Sequence, residues 1–104
     1  MDTTNPSFTI AEAAGVLRLA GCLDIYAAGG ARSALLEHFS VLKSIRLDLT
    51  ALEGCDAAGL QLLCAARASA LQDGKTFEAE LSPAARECCN RLGLSPDFFK
   101  PISA

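Results

Sequence analysis

The clearest alternation of apolar and polar residues runs from Ser44 to Leu49. Ile45, Leu47 and Leu49 alternate with Arg46 and Asp48, the period-two pattern of a strand with one covered and one wet face. Thr76 to Leu81 alternates again, with Phe77, Ala79 and Leu81 to one side. Upstream, Ser7 to Ala11 and Gly15 to Gly21 are short β-rich runs, and Glu12-Ala13-Ala14-Gly15 between them predicts a hairpin turn. Three further segments carry the helical period. Asp24 offers an N-cap for a helix from Ile25 to Phe39, with Ile25, Ala28, Leu35, Leu36 and Phe39 on one face. Gly29-Gly30 is awkward inside it, because each glycine costs about 1 kcal/mol relative to Ala. Either the helix begins nearer Ala31 or the glycines permit close backbone packing. Asp56 is the next cap candidate, opening a helix from Ala57 to Gln72 that Asp73-Gly74 ends with a residue tolerant of the left-handed conformation. Ser82-Pro83 starts a third helix. On it Ala85, Cys88, Cys89 and Leu92 recur at i, i+3, i+4 and i+7, and Gly93 ends it. Phe98 to Ile102 adds a last strand that Pro101 confines to a sheet edge.

The order β-β-α-β-α-β-α, with that further strand, predicts a single α/β domain over residues 7–104, preceded by a flexible N-terminus at residues 1–6. Crossovers of this length imply a mixed sheet of four or five strands with helices packed on one face. The 104 residues are 51% hydrophobic and 20% charged, a globular balance. A net charge of -3 lacks the basic footprint of a nucleic-acid binder. Five Phe, one Tyr and no Trp are too few for a base-stacking platform. No apolar run approaches the roughly 20 residues needed to span a bilayer, and the first dozen residues have no signal-peptide pattern. Five cysteines, an odd number, then read as reduced thiols in the cytoplasm. Without a C-x-x-C motif, and with His38 the single histidine, no metal is expected. No cofactor motif is present either.

The candidate reactive groups are few. Cys88 and Cys89 are neighbours on the apolar face of their helix, diverging by roughly 100°, which is poor geometry for a disulfide and suits core packing. Cys55 precedes a helix start, where a thiol pKa can fall, but no His or resolving Cys lies near it in sequence. Asp48, in Ile45-Arg46-Leu47-Asp48-Leu49-Thr50, faintly resembles an aspartate nucleophile. Such chemistry wants a second carboxylate two residues on, and position 50 is Thr. These two residues carry the enzyme reading, a small phosphotransfer or thiol enzyme. More informative is Gly54-Cys55-Asp56-Ala57-Ala58-Gly59-Leu60, which joins a strand to a helix and leaves N–H groups free at the helix start. Beyond it Leu60, Leu62 and Leu63 spread over more than half the helix circumference. A helix covering a sheet needs a stripe of only roughly 100°. Either Leu62 belongs to an exposed apolar patch, or the helix is central and its neighbours cover it.

In order and spacing, Leu19-Ala20-Gly21-Cys22-Leu23-Asp24, Leu47-Asp48-Leu49-Thr50 and Asp56-Ala57-Ala58-Gly59-Leu60-Gln61-Leu62-Leu63 resemble the STAS family. Gly74-Lys75, Ser82-Pro83 and Leu92-Gly93-Leu94 extend the resemblance over nearly the whole chain. It implies the mixed sheet inferred above and a non-enzymatic binding module. In the family's anti-sigma-factor antagonists, a Ser or Thr follows the Asp that here is Asp56. A partner kinase phosphorylates it, and the added charge blocks binding to that kinase. Here the position is Ala57, followed by Ala58, and neither has a hydroxyl. The resemblance therefore implies a partner-binding surface of Asp24, Asp56, Ala57, Ala58, Gly59, Leu60 and Leu62. The implied partner is an anti-sigma kinase-like or ATPase-bearing signalling protein, and Ala57 is a phospho-acceptor equivalent that cannot be phosphorylated. Two expectations follow: constitutive binding, or an adaptor role in a chemotaxis complex or a lipid-transport ABC complex.

Overall fold

A computed structural model describes residues 8–100. The expected N-terminal tail and the Pro101-Ile102 end of the expected last strand lie outside the described residues. Strands β1 (Phe8–Ala13) and β2 (Val16–Leu23) form an antiparallel hairpin. Its two-residue turn places Ala14 at φ 54° and Gly15 at φ 82°, the left-handed pair that matches the twist of the strands. The Gly15 N–H donates to Glu12 Oε2 at 3.0 Å. Helix α1 (Ile25–Val41) leads to β3 (Ser44–Cys55), helix α2 (Ala57–Gln72) to β4 (Thr76–Leu81), and helix α3 (Pro83–Arg91) follows. The sheet order is β1-β2-β3-β4, with β2–β3 and β3–β4 parallel.

One sheet face is covered and the other wet. Leu17, Leu19, Leu23, Ile45, Leu47, Leu49, Phe77 and Leu81 are buried. The alternating Arg18, Arg46 and Glu80 are exposed, and Arg46 Nε lies 3.8 Å from Glu78 Oε2. The period-two pattern that announced β3 thus places its apolar set under the helices.

Several expectations are corrected. Helix α1 runs unbroken through Gly29-Gly30, and a Cβ at either glycine would meet nothing within 4 Å. The helix therefore does not begin at Ala31, and the glycines make no close packing contact. Its buried stripe is Ala27, Ala31, Leu35 and Phe39, an i, i+4 ridge. Ile25 and Leu36, expected on the buried face, are 65% and 52% exposed. The ridge is small where the helix lies close to the sheet, so the bulky residues turn outward. Strand β3 continues six residues past Leu49. Its pairing with β2 shifts register between Arg18 and Ala20 and between Gly21 and Cys22, with the extra residue on β3 each time, and Gly21 of β2 takes φ 95° beside the second shift. The shifts break the alternation, which is why the sequence pattern stops at Leu49. Where β4 has ended, α3 packs against this extension.

Helix α2 has its expected bounds, with Gly74 at φ 75° after it. Ser82 Oγ caps α3, accepting from the Ala85 N–H at 3.1 Å. Cys88 and Cys89 are buried, as expected, but Leu92 is 51% exposed. After α3 the chain forms a short 3-10 helix, Pro96–Phe99, where an edge strand was expected from Phe98. Phe99 is buried and the Arg67 guanidinium sits 4.2 Å from the centroid of the Phe98 ring. Ser95-Pro96 favours a tight helical start over extension.

Candidate functional site

Strands β2 and β3 are parallel neighbours that end side by side, Leu23 opposite Cys55. Each passes straight into a helix after one residue, so α1 and α2 emerge together with their positive ends at the same sheet edge. That single residue is an aspartate in both cases. Asp24 Oδ1 accepts the N–H groups of Tyr26 at 3.0 Å and Ala27 at 3.1 Å. Asp56 Oδ1 accepts the N–H of Gly59 at 3.0 Å, and its Oδ2 accepts the N–H of Ile25 at 3.2 Å. One carboxylate therefore caps its own helix and reaches the first N–H of the neighbouring one. The Asp56 N–H donates in turn to the Leu23 carbonyl at 3.3 Å.

Gly59 locks the junction. A Cβ there would collide with the Leu23 carbonyl oxygen and lie 2.9 Å from Leu23 Cγ and 3.1 Å from Cys55 Sγ. Only a residue without a side chain lets the first turn of α2 lie this close to β2. Ala57 is exposed on the other side of that turn and Ala58 half-buried. A shallow groove of about 370 Å³ runs from Ala57 past Leu60, Gln61 and Cys64 to Leu92 and Leu94. At the start of α1, Ile25 is 65% and Tyr26 87% exposed.

Of the residues expected at this surface, Asp24, Asp56, Ala57 and Ala58 come together at the paired helix starts. Gly59 and Leu60 are buried beneath them. Leu62 lies apart, half-buried in a cleft of about 140 Å³ between α1 and α2 with Leu35, Leu36 and Phe39. Helix α2 is thus central, covered by its neighbours at Leu62, and the exposed apolar surface is supplied by Ile25, Tyr26 and Leu92 instead. Sequence reading missed these three. For Ile25 and Tyr26 the signal was the Asp24 cap directly before them, whereas Leu92, at the end of α3, follows neither cap.

The other reactive candidates are held in quiet environments. Thr50 donates to Asp48 Oδ1 from its hydroxyl at 2.6 Å and its N–H at 3.0 Å. Those two bonds, the hydroxyl's foremost, keep the Asp48 carboxyl below its ordinary range. Burial pushes the Cys55 thiol up to about 12, with the neighbouring Cys88 adding to it. Burial likewise raises Cys64 and Cys89. Such thiols carry almost no thiolate at neutral pH. Among the described residues no group of three or more His, Cys, Asp or Glu could hold a metal ion, and no helix is long and apolar enough to cross a membrane.

A family model described as "Mlab, STAS domain" matches residues 7–96. An anti-sigma factor antagonist from Mycobacterium paratuberculosis superposes with a TM-score of 0.69 at 21% identity, over 89% of this chain and 90% of that one. The anti-sigma factor antagonist SpoIIAA, in its unphosphorylated form, superposes with a TM-score of 0.63 at 25% identity, over 86% of this chain and 83% of that one. No curated protein matches by sequence. The four-stranded mixed sheet, the helices on its covered face and the family match over 90 residues (7 to 96) together make this chain a member of the STAS domain family, a regulatory binding module.

Proposed function

We propose that the protein binds a signalling partner, kinase-like or ATPase-bearing, through the paired helix starts, and that it does so without a phosphorylation switch. The observation that carries this reading is Ala57, exposed on the first turn of α2 and flanked by the Leu92 groove. The same turn in the family's antagonists carries the hydroxyl that is phosphorylated, and Asp56 to Gly59 hold none. The surface is otherwise what a docking face needs. Apolar Ile25, Tyr26 and Leu92 are available for burial, while both carboxylates are satisfied internally and ask nothing of a partner. The enzyme reading has little to support it. Asp48 is bound up by Thr50, and burial keeps the Cys55 thiol protonated at neutral pH, where the thiolate is the nucleophilic form. An adaptor role in a chemotaxis or lipid-transport complex is the second reading. The matching family model bears a name other than that of the antagonists, and an adaptor has no need of the missing hydroxyl.

The test is a titration of wild type, Ala57→Ser and Ala57→Glu against a kinase-like or ATPase-bearing partner identified from the neighbouring genes. Acidic residues suit a helix start, so Ala57→Glu keeps its melting temperature. In the contact, its unpaired carboxylate is desolvated and affinity falls about a hundredfold or more. Ala57→Ser binds as wild type until ATP is added. If the partner is a kinase, the variant then takes up phosphate and dissociates, while wild type stays bound. Unchanged affinity for Ala57→Glu places the interface elsewhere.

A further inference from the structure

Among the described residues no strand pairs with the outer edge of β1, and we propose that it pairs with β1 of a second copy, antiparallel about a two-fold axis, to make a continuous eight-stranded sheet. Edge strands are commonly blunted by Lys, Pro or a bulge. Phe-Thr-Ile-Ala-Glu-Ala of β1 has neither Lys nor Pro, and its register with β2 is unbroken from Phe8 to Ala13. Its one charged residue is Glu12 beside the turn, whereas the opposite edge, β4, carries both Glu78 and Glu80 and runs into Pro83. In a hairpin closed by the Ala13–Val16 pair across a two-residue turn, Ala13, Ala11 and Thr9 bond to β2. Phe8, Ile10 and Glu12 therefore turn their N–H and C=O groups outward.

The surroundings of this edge fit a second copy because they are complementary end to end. Helix α1 runs alongside β1. At the Phe8 end stands Tyr26, 87% exposed, over a hollow that Phe8, Ile10 and Gly30 help to line. At the Glu12 end lies an open hollow of about 510 Å³, lined by Ile10, Leu17, Ala34, His38, Val41 and Leu42, with Val41 77% exposed. A two-fold axis at the middle of β1 brings Tyr26 of each copy toward the large hollow of the other, the reciprocal contact that an isologous interface requires. With the axis at Ile10, outward-facing residues meet outward-facing residues, so the same operation pairs Glu12 with Phe8 and keeps the two Glu12 carboxylates apart, and no like charges meet across the seam. The proposal shares Tyr26 with the docking face above but uses neither Ala57 nor Leu92, so the Ala57 variants test that reading and Ile10→Pro tests this one.

Sedimentation equilibrium on the full chain from about 1 μM to about 1 mM tests it, a range that brackets weak and moderate dimers. A monomer–dimer equilibrium is expected within that range. Ile10→Pro removes an outward N–H and leaves the β1–β2 ladder whole, so it stays folded by circular dichroism and is monomeric at every concentration. Tyr26→Ala, at an exposed position that tolerates truncation, weakens the dimer about tenfold or more. Leu92→Asp, on the far groove, leaves it unchanged. Overturning results are a wild type monomeric throughout, a dimer unaffected by Tyr26→Ala, a dimer that survives in folded Ile10→Pro, or one abolished by Leu92→Asp.

Discussion

The starts of α1 and α2 are near-twins in sequence, each an aspartate placed directly after a parallel strand, yet they are anchored in different ways. Asp24 works locally, one oxygen serving two N–H groups of its own helix. Asp56 uses both oxygens and serves two helices. Behind Asp56, Gly59 lies hard against the Leu23 backbone. In α1, the Gly29-Gly30 pair faces open space and Ile25 and Tyr26 face solvent. The α2 start is therefore part of the sheet's own packing, whereas the α1 start is held by its own Asp24 cap and tied to α2 by the single Ile25–Asp56 bond. A surface built this way presents Ala57 from a rigid base and carries the apolar Ile25 and Tyr26 on a lighter one.

The largest consequence concerns Gly59. Alanine is the better helix former by about 1 kcal/mol, so propensity alone predicts that Gly59→Ala stabilises. The collision with Leu23 predicts the opposite, a loss of about 3 kcal/mol or more, because the clash is with backbone and α2 must lift to relieve it. Urea denaturation decides the sign, and a neutral or stabilised variant would break the contrast between the two helix starts.

The two aspartates come next. Capping preference alone makes Asn nearly equivalent to Asp at both positions. An amide, however, has one acceptor oxygen and one donor nitrogen. At Asp24 one oxygen suffices, so Asp24→Asn costs a few tenths of a kcal/mol at most, by the order of cap preferences. At Asp56 an Asn amide must turn its NH₂ toward either Gly59 or Ile25, so Asp56→Asn costs about 1 kcal/mol more than Asp24→Asn. Asp56→Ala loses both bonds and costs about 2 kcal/mol. Equal denaturation midpoints for the two Asn variants would show that the Ile25 bond contributes nothing.

Much of this was legible in the sequence, and the parts that were not share a cause. The Asp24, Asp56 and Ser82 caps, the bounds of α2 and β4 and the Asp73-Gly74 stop follow from short-range chemistry, and the structure has them as read. Periodicity weights large apolar residues, and so chose Ile25 and Leu36 for a face that the fold fills with Ala27 and Ala31. How close a helix lies to its sheet is set by tertiary packing, and that distance decides whether Ala or Leu belongs underneath. The bulges in β3 hid half of that strand for the same reason, since they arise from pairing with β2. At the paired helix starts, the capping roles of Asp24 and Asp56 followed from pattern, and Ala57 came from the resemblance. The wedge at Gly59 and the shared carboxylate need the knowledge that Leu23 lies opposite Cys55, a contact between residues far apart in the chain.

The smallest effect tests the other side of the comparison. Gly29 and Gly30 lie within α1 at ordinary helical angles, since neither is among the residues with positive φ. An added methyl at either meets nothing within 4 Å. With no strain and no clash, what remains is the conformational entropy glycine surrenders on folding, so Gly29→Ala and Gly30→Ala each stabilise by about 0.4–1 kcal/mol. Neither added methyl meets another group, so nothing couples the two changes through a shared contact, and the double variant gains about 1–2 kcal/mol. For a domain of this size that raises the melting temperature by roughly 4–15 °C. Thermal melts at micromolar protein, with the two singles and the double side by side, read the effect free of any association. Set beside Gly59→Ala, the same substitution would then carry opposite signs in neighbouring helices, and the difference would rest on whether a backbone lies within reach of the added carbon. Destabilisation at Gly29 or Gly30 would mean that α1 sits closer to its neighbours than the open space around these glycines implies, and the contrast between the two helix starts would lose its basis.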